Sequence, residues 1–278
     1  MLRRVGLAPK RSFGQNFLVS AHVVESIARA CVPDAERGAA RVVELGAGTG
    51  ALTAALAARA AHVVAVERDR DLVPVLRDEL AAHGNVTVVE GDAQSVVPRE
   101  LLGAEPGPRV LAGNLPYQIT GRLLELATTH ADDLDRVVFM VQLEVAERLA
   151  ARPGTKAYGA LTVFVGAAFE VTKLFDVSPG SFHPPPEVTS AVVALTPRRP
   201  RAAAETETFR ALVKGAFGAR RKTLRNAWSK VAAPDRIAAA AASAGISLDA
   251  RGETLSVDAF ARMASRLDES EDATARRM

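Results

Sequence analysis

Apolar and polar positions along this chain change period several times. At residues 20–31 apolar side chains recur at helical spacing (Val23, Val24, Ile27, Cys31), and Ser20 stands where an N-cap belongs, which predicts an amphipathic helix. Short apolar runs follow at 41–45, 62–66, 86–89, 109–112 and 136–141, separated by helix-like segments at about 50–60, 69–82, 98–102 and 120–130. Strand-length runs alternating with helices predict repeated βαβ units around a parallel sheet with helices on both faces.

Beyond Ala157 a helix over 158–169 precedes strand-like runs at 170–174 and 189–195. The proline-rich turn from Ser181 to Pro186 between those runs suits an antiparallel hairpin at the sheet edge. Residues 197–205 combine two prolines with three arginines, the composition of a linker. Residues 206–267 are alanine-rich with a helical pattern broken near Pro234, Gly245 and Gly252, which predicts a bundle of three or four helices. The expected organisation is a basic, mobile arm over 1–19, an α/β domain over 20–199 and a small all-α domain over 200–278, frayed beyond Leu267.

Composition removes several classes. With 278 residues, 48% of them hydrophobic and 24% charged, the chain can bury a full core, so wholesale disorder and fibrous structures are excluded. The single cysteine, Cys31, rules out an internal disulfide and a cysteine-rich zinc site, and its place in the apolar pattern makes it a core residue. No run of 18 apolar residues occurs, and Met1 to Gly14 lack the apolar stretch of a signal peptide, so a soluble, cytoplasmic protein without a membrane partner is expected.

Candidate chemistry begins at Glu44-Leu45-Gly46-Ala47-Gly48-Thr49-Gly50, where three glycines between a strand and a helix let a cofactor approach the backbone, with Gly46 and Gly48 as contacts. The same residues also satisfy the loose dinucleotide fingerprint Gly46-x-Gly48-x-x-Ala51, so this turn alone leaves the cofactor open. Glu67, ending the second strand, can accept the hydroxyls of a ribose, and Asp92, after the third, can accept from an adenine amine. Together these acids outline an adenosyl crevice at the carboxyl edge of the sheet. At the next strand end, Asn114-Leu115-Pro116-Tyr117 resembles the motif of S-adenosylmethionine-dependent methyltransferases that act on exocyclic base amines.

Such an amine is a poor nucleophile because its lone pair is delocalised into the ring. If the Asn114 side-chain oxygen and the Pro116 main-chain carbonyl accept its hydrogens, the nitrogen can pyramidalise and aim its lone pair at the methyl donor, with no metal and no strong base. Tyr117 would stack on the extruded base, and Phe182, on the proline-stiffened turn, is the candidate second ring.

Read together, these segments resemble the ribosomal RNA adenine dimethyltransferase family. The resemblance extends over nearly the whole chain and includes Phe13-Gly14-Gln15-Asn16-Phe17-Leu18, Gly91-Asp92-Ala93, Phe139 to Val145, Lys156 to Gly159, Phe182 with Pro184 to Val188, and Arg220 to Asn226. The last run favours the small-subunit (16S) branch over the erythromycin-resistance branch that modifies large-subunit RNA. The resemblance implies a Rossmann-like class I methyltransferase sheet and S-adenosyl-L-methionine contacts at Asn16, Leu18, Gly46, Glu67, Asp92 and Asn114. It further implies N6-dimethylation of two adjacent adenosines in a hairpin loop near the 3′ end of 16S rRNA, on a pre-ribosomal particle; separately, a monomer is expected. Two departures are Gln118, where the family more often has Asn, and Gly121-Arg122 in place of the commoner Thr-Pro.

Net charge is only +3, but the positive charge is clustered. No acid occurs between Glu207 and Asp235, where Arg210, Lys214, Arg220, Arg221, Lys222, Arg225 and Lys230 stand, which makes Arg220, Arg221, Lys222 and Arg225 the RNA-contact candidates. A small-molecule methyltransferase would have no use for that cluster, and a dehydrogenase fits less well still. An assembly factor whose methyl transfer is dispensable remains compatible with the residues.

Overall fold

The computed structural model describes residues 8–10, 13–218 and 221–275, and its contacts divide the chain into two compact units, 1–146 with 171–197 and 147–170 with 198–278. The first unit opens with β1 (Phe17–Leu18) and α1 (Ala21–Cys31). Ser20 caps α1 by accepting from the Val23 amide, and Val24, Ile27, Ala28 and Cys31 form its buried face. The helix expected over 20–31 is therefore present, with Cys31 in the core.

Four βα alternations follow, from β2 (Arg41–Leu45), α2 (Ala51–Ala57), β3 (His62–Glu67) and α3 (Leu72–Leu80) to β4 (Val86–Glu90), α4 (Pro98–Leu102), β5 (Arg109–Asn114), α5 (Thr120–Thr129) and β6 (Arg136–Gln142). After α6 (Leu143–Leu149) and α7 (Ala160–Ala168) come β7 (Phe169–Val177), β8 (Phe182–His183) and β9 (Ser190–Pro197). The main sheet has the order β4-β3-β2-β5-β6-β9-β7; β2 to β6 pair in parallel, and β9 runs antiparallel to β6. The Val-rich cores of β2, β3, β5 and β6 are buried on both faces, as a helix-covered parallel sheet requires. Their carboxyl ends share one edge, so Glu44, Glu67 and Asn114 come together there although they lie far apart in the chain.

Three expectations change. The arm over 1–19 is not free where it is described: β1 pairs with β8, and Lys10 and Gln15 bond to Asp69. The single domain boundary near 199 becomes three crossings, at 146/147, 170/171 and 197/198, because 147–170 belongs to the second unit. The reason is packing: Tyr158, Val163 and Ala167 share a core with Phe209 and Trp228, and the Tyr158 hydroxyl donates to the Leu255 carbonyl at 2.7 Å. The second unit is otherwise helical, with α8 (Glu207–Gly218), α9 (Leu224–Ala227), α10 (Pro234–Ala244) and α11 (Val257–Ala275). Helix α11 continues past Leu267 rather than fraying there, since no Gly or Pro interrupts 257–275 and Arg266 pairs with Glu269 one turn on.

Candidate active site

A cavity opens at the carboxyl edge of the sheet, lined by the 46–49 turn, Glu67, Asp92, the 114–119 turn and the chain from Phe13 to Leu18. The glycine turn is built against β3, with the Gly46 and Ala47 amides both donating to the Val66 carbonyl. Gly46 has φ +74, where side chains are disfavoured, and a Cβ added there would project into open space. Gly48 has φ +57, and its Cβ would press on the Phe17 ring at 3.1 Å. The backbone here leaves room for a ligand that any larger residue would occupy.

Glu67 is buried, with one oxygen accepting from the Gly48 amide at 2.7 Å and the other from the Asp69 amide at 2.8 Å. Each oxygen keeps a second lone pair, so the carboxylate remains an acceptor for a bound hydroxyl. Asp92 takes the Gln94 amide at 3.0 Å in a local turn, with the Arg68 guanidinium 3.6 Å away. A third acid, Glu44, carries no role in the sequence reading. It lies under the cavity, where burial pushes its carboxyl up to about 8, opposed by the Thr53 hydroxyl bond and assisted by the nearby charge of Glu67. Its place near the end of β2, two residues before Gly46, is the signal that points to it.

Asn114 is the last residue of β5, and its Nδ2 donates to the Asn16 carbonyl at 3.0 Å. That bond settles which end of the amide is spent and leaves Oδ1 as the acceptor. The Pro116 carbonyl is differently placed: it accepts from the Ile119 amide at 3.2 Å and the Thr120 hydroxyl at 3.1 Å, which uses both its lone pairs to start α5. Helix α5 thus begins at Thr120, ahead of the unusual Gly121-Arg122. The half-buried Tyr117 is fixed through its hydroxyl, 3.0 Å from Ser190 Oγ at the head of β9, and Ser190 itself is only 1% exposed. Gln118 lines the cavity beside Gly14.

Asn16, Leu18, Gly46, Gly48, Glu67, Asp92, Asn114, Pro116 and Tyr117 all line the cavity. Phe182 does not. It pairs opposite Leu18 in β8, is 4% exposed and packs with Leu18, Val24 and Ile27 in the core, where burying a phenyl ring gains more than leaving it at a rim. In the second unit Arg221, Lys222 and Arg225 are exposed, with Arg225 near Asp249 at 3.3 Å, while Arg220 lies outside the described residues. None of the described helices is long and apolar enough to cross a membrane.

Comparison with known proteins bears on this geometry. The family described as ribosomal RNA adenine dimethylase matches residues 6–269. The chain is 45% identical over 268 residues to ribosomal RNA small subunit methyltransferase A of Geobacter metallireducens, covering 94% of this chain and 96% of that one. It is 41% identical to the protein of the same name from Xanthomonas campestris, covering 92% and 95%. Among solved structures, the 23S rRNA methyltransferase ErmE superposes with a TM-score of 0.70 at 27% identity, over 91% of this chain and all of that one. A dimethyladenosine transferase from Plasmodium falciparum gives 0.77 at 24% identity, over 92% and 98%, a likeness of fold.

Proposed function

The chain belongs to the ribosomal RNA adenine dimethylase family and is an S-adenosylmethionine-dependent methyltransferase, and on that premise we propose that it dimethylates N6 of two adjacent adenosines in a hairpin loop near the 3′ end of 16S rRNA. The observation that carries the reading is the Asn114 amide, held on the cavity wall with its oxygen as the free end.

The cavity residues fit the cofactor, since the space a Cβ at Gly46 would fill is open and a buried carboxylate stands beside it. Glu67 would hold the ribose hydroxyls, Asp92 the adenine amine, and Asn16, Leu18 and Gly48 the flanking walls. When bound, S-adenosylmethionine supplies an electrophilic methyl group on a positively charged sulfur. Asn114 Oδ1 accepts one hydrogen of the target amine and draws its lone pair out of conjugation. Because the Pro116 carbonyl is already saturated, the second acceptor is the carbonyl of Leu115, which also lines the cavity. Tyr117, tied to Ser190, presents its ring to the extruded base, a contact that in single-strand binding is worth about 1–3 kcal/mol. Phe182 stays in the core and takes no part in that grip.

Arg221, Lys222 and Arg225, with Arg220, would meet phosphates and position the RNA without reading its sequence. The working form is a monomer acting on a pre-ribosomal particle in the cytoplasm. The test is to supply labelled S-adenosylmethionine with under-methylated small subunits and, separately, with large subunits. Label in dimethyladenosine of the small-subunit RNA is the expected result; label confined to the large subunit rejects the choice of substrate.

A further inference from the structure

Asp69 lies two residues beyond Glu67, is 2% exposed, and bonds in three directions. Its amide donates to Glu67 Oε1 at 2.8 Å, one carboxylate oxygen accepts from Lys10 Nζ and the Asp71 amide, and the other accepts from Gln15 Nε2 at 2.8 Å. Gln15 Oε1 in turn accepts the Lys10 amide at 2.8 Å, so both anchors belong to one closed turn of chain. The next residue is Asn16, whose carbonyl receives Asn114 Nδ2. Glu67 closes the other end by accepting the Gly48 amide of the glycine turn.

We infer that Asp69 is a positioning residue for the methyl-transfer reaction: by clamping Lys10 and Gln15 it holds the Asn16 carbonyl against the Asn114 amide, and so ties the cofactor wall at Glu67 to the group that activates the target amine. The charge balance supports a clamp. A buried carboxylate needs opposing charge and donors, and Asp69 draws them from a segment more than fifty residues away in sequence, the separation that Lys10 and Gln15 span. Burial alone would raise its carboxyl, yet the bonds from Lys10, Gln15 and the Asp71 amide leave it below the usual carboxylate range. Asp71, itself exposed, adds a second acceptor for Lys10 Nζ at 2.6 Å. Released from the clamp, the 13–18 segment loses its fixed place on the cavity wall and Asn114 loses the acceptor that orients it.

The inference rests on the proposed chemistry for Asn114, and its test separates the two. Lys10→Met and Gln15→Leu change half-buried side chains outside the sheet, so the fold survives them. Binding of S-adenosylhomocysteine is measured by titration calorimetry, hydrogen exchange of the 13–18 amides by mass spectrometry, and kcat on small subunits at saturating cofactor. Each variant should bind about 5–10-fold more weakly, exchange faster across 13–18 and lower kcat by about tenfold, all measured well below its ligand-free Tm, which falls because Asp69 stays buried with fewer partners; Lys10→Arg should restore all three. Asp69→Asn, whose amide cannot satisfy Lys10 and Gln15 together, should exceed either. Wild-type affinity, exchange and kcat in Lys10→Met and Gln15→Leu would overturn the inference, as would an Asp69→Asn variant that loses only Tm. A wild-type enzyme that binds the cofactor normally but labels no ribosomal RNA would overturn the substrate reading instead.

Discussion

Truncating Asn114 to alanine separates its two roles by size. As an acceptor for the target amine it acts mainly in the transition state, where removal of one such preorganised group costs about 2.7–4 kcal/mol, or about 10²–10³ in kcat. Its other bond, Nδ2 to the Asn16 carbonyl at 3.0 Å, is between neutral groups at a half-buried strand end. That bond is worth about 0.5–1.5 kcal/mol, which sets about 2–12-fold as the ceiling on lost cofactor affinity. The rate effect therefore dominates by about an order of magnitude or more across most of these ranges, and RNA affinity, which depends on phosphates and stacking, should change by less than about threefold. Single-turnover methyl transfer at saturating S-adenosylmethionine reads the first quantity, titration of S-adenosylhomocysteine the second and filter binding of the RNA the third. If RNA affinity falls as far as the rate does, or if the Tm collapses, Asn114 is holding the fold and the catalytic argument fails.

Gly46→Ala forces a side chain to φ +74, costing about 1–2 kcal/mol of stability, and places a methyl in the cradle. S-adenosylhomocysteine affinity should drop at least about tenfold with RNA binding intact, and an unchanged affinity would move the cofactor elsewhere. For Glu44 the folded carboxyl at about 8 lies above its ordinary 4.5, so the folded state holds a proton the unfolded chain has lost, and stability declines as pH rises across that window. Glu44→Gln should flatten the decline, melting near wild type in acid and above it at pH 8; parallel Tm curves would show that Glu44 does not titrate there. Tyr117→Phe loses only the Ser190 bond and should reduce turnover less than about tenfold, whereas Tyr117→Ala also loses stacking and about 1–3 kcal/mol of base binding. Equal turnover in the two variants would exclude the ring from the base contact. Replacing Arg221 and Lys222 by alanine should lower the salt slope of RNA binding by about 0.7–0.9 for each phosphate no longer neutralised, and an unchanged slope would make both part of a merely solvated turn between α8 and α9.

The strands of the α/β unit were legible because a parallel sheet covered on both sides demands apolar runs; Val63–Val66 and Val137–Val141 are unbroken, and Val42–Leu45 is interrupted only by Glu44. The strand-end acids and Asn114 were legible for a related reason: in this architecture a polar residue closing an apolar strand has one edge to go to. The place of Phe182 was not legible, because a ring in a proline-rich turn looks the same in sequence whether it faces a ligand or the core, and only pairing with Leu18 sets it among core residues. Pro116 offers a plausible carbonyl on sequence, but the start of α5 consumes it.

Local spacing thus determined the elements and the strand-end pattern of an adenosyl crevice, because each depends on residues near one another in the chain, while the methyl donor was implied by the resemblance carried by Asn114 to Tyr117. The return of 147–170 to the helical unit, the clamp of Lys10 and Gln15 on Asp69 and the turning of the Asn114 amide were decided only by tertiary structure. Each joins segments distant in sequence, set by which buried group must find a partner, and no local pattern encodes that partner's address.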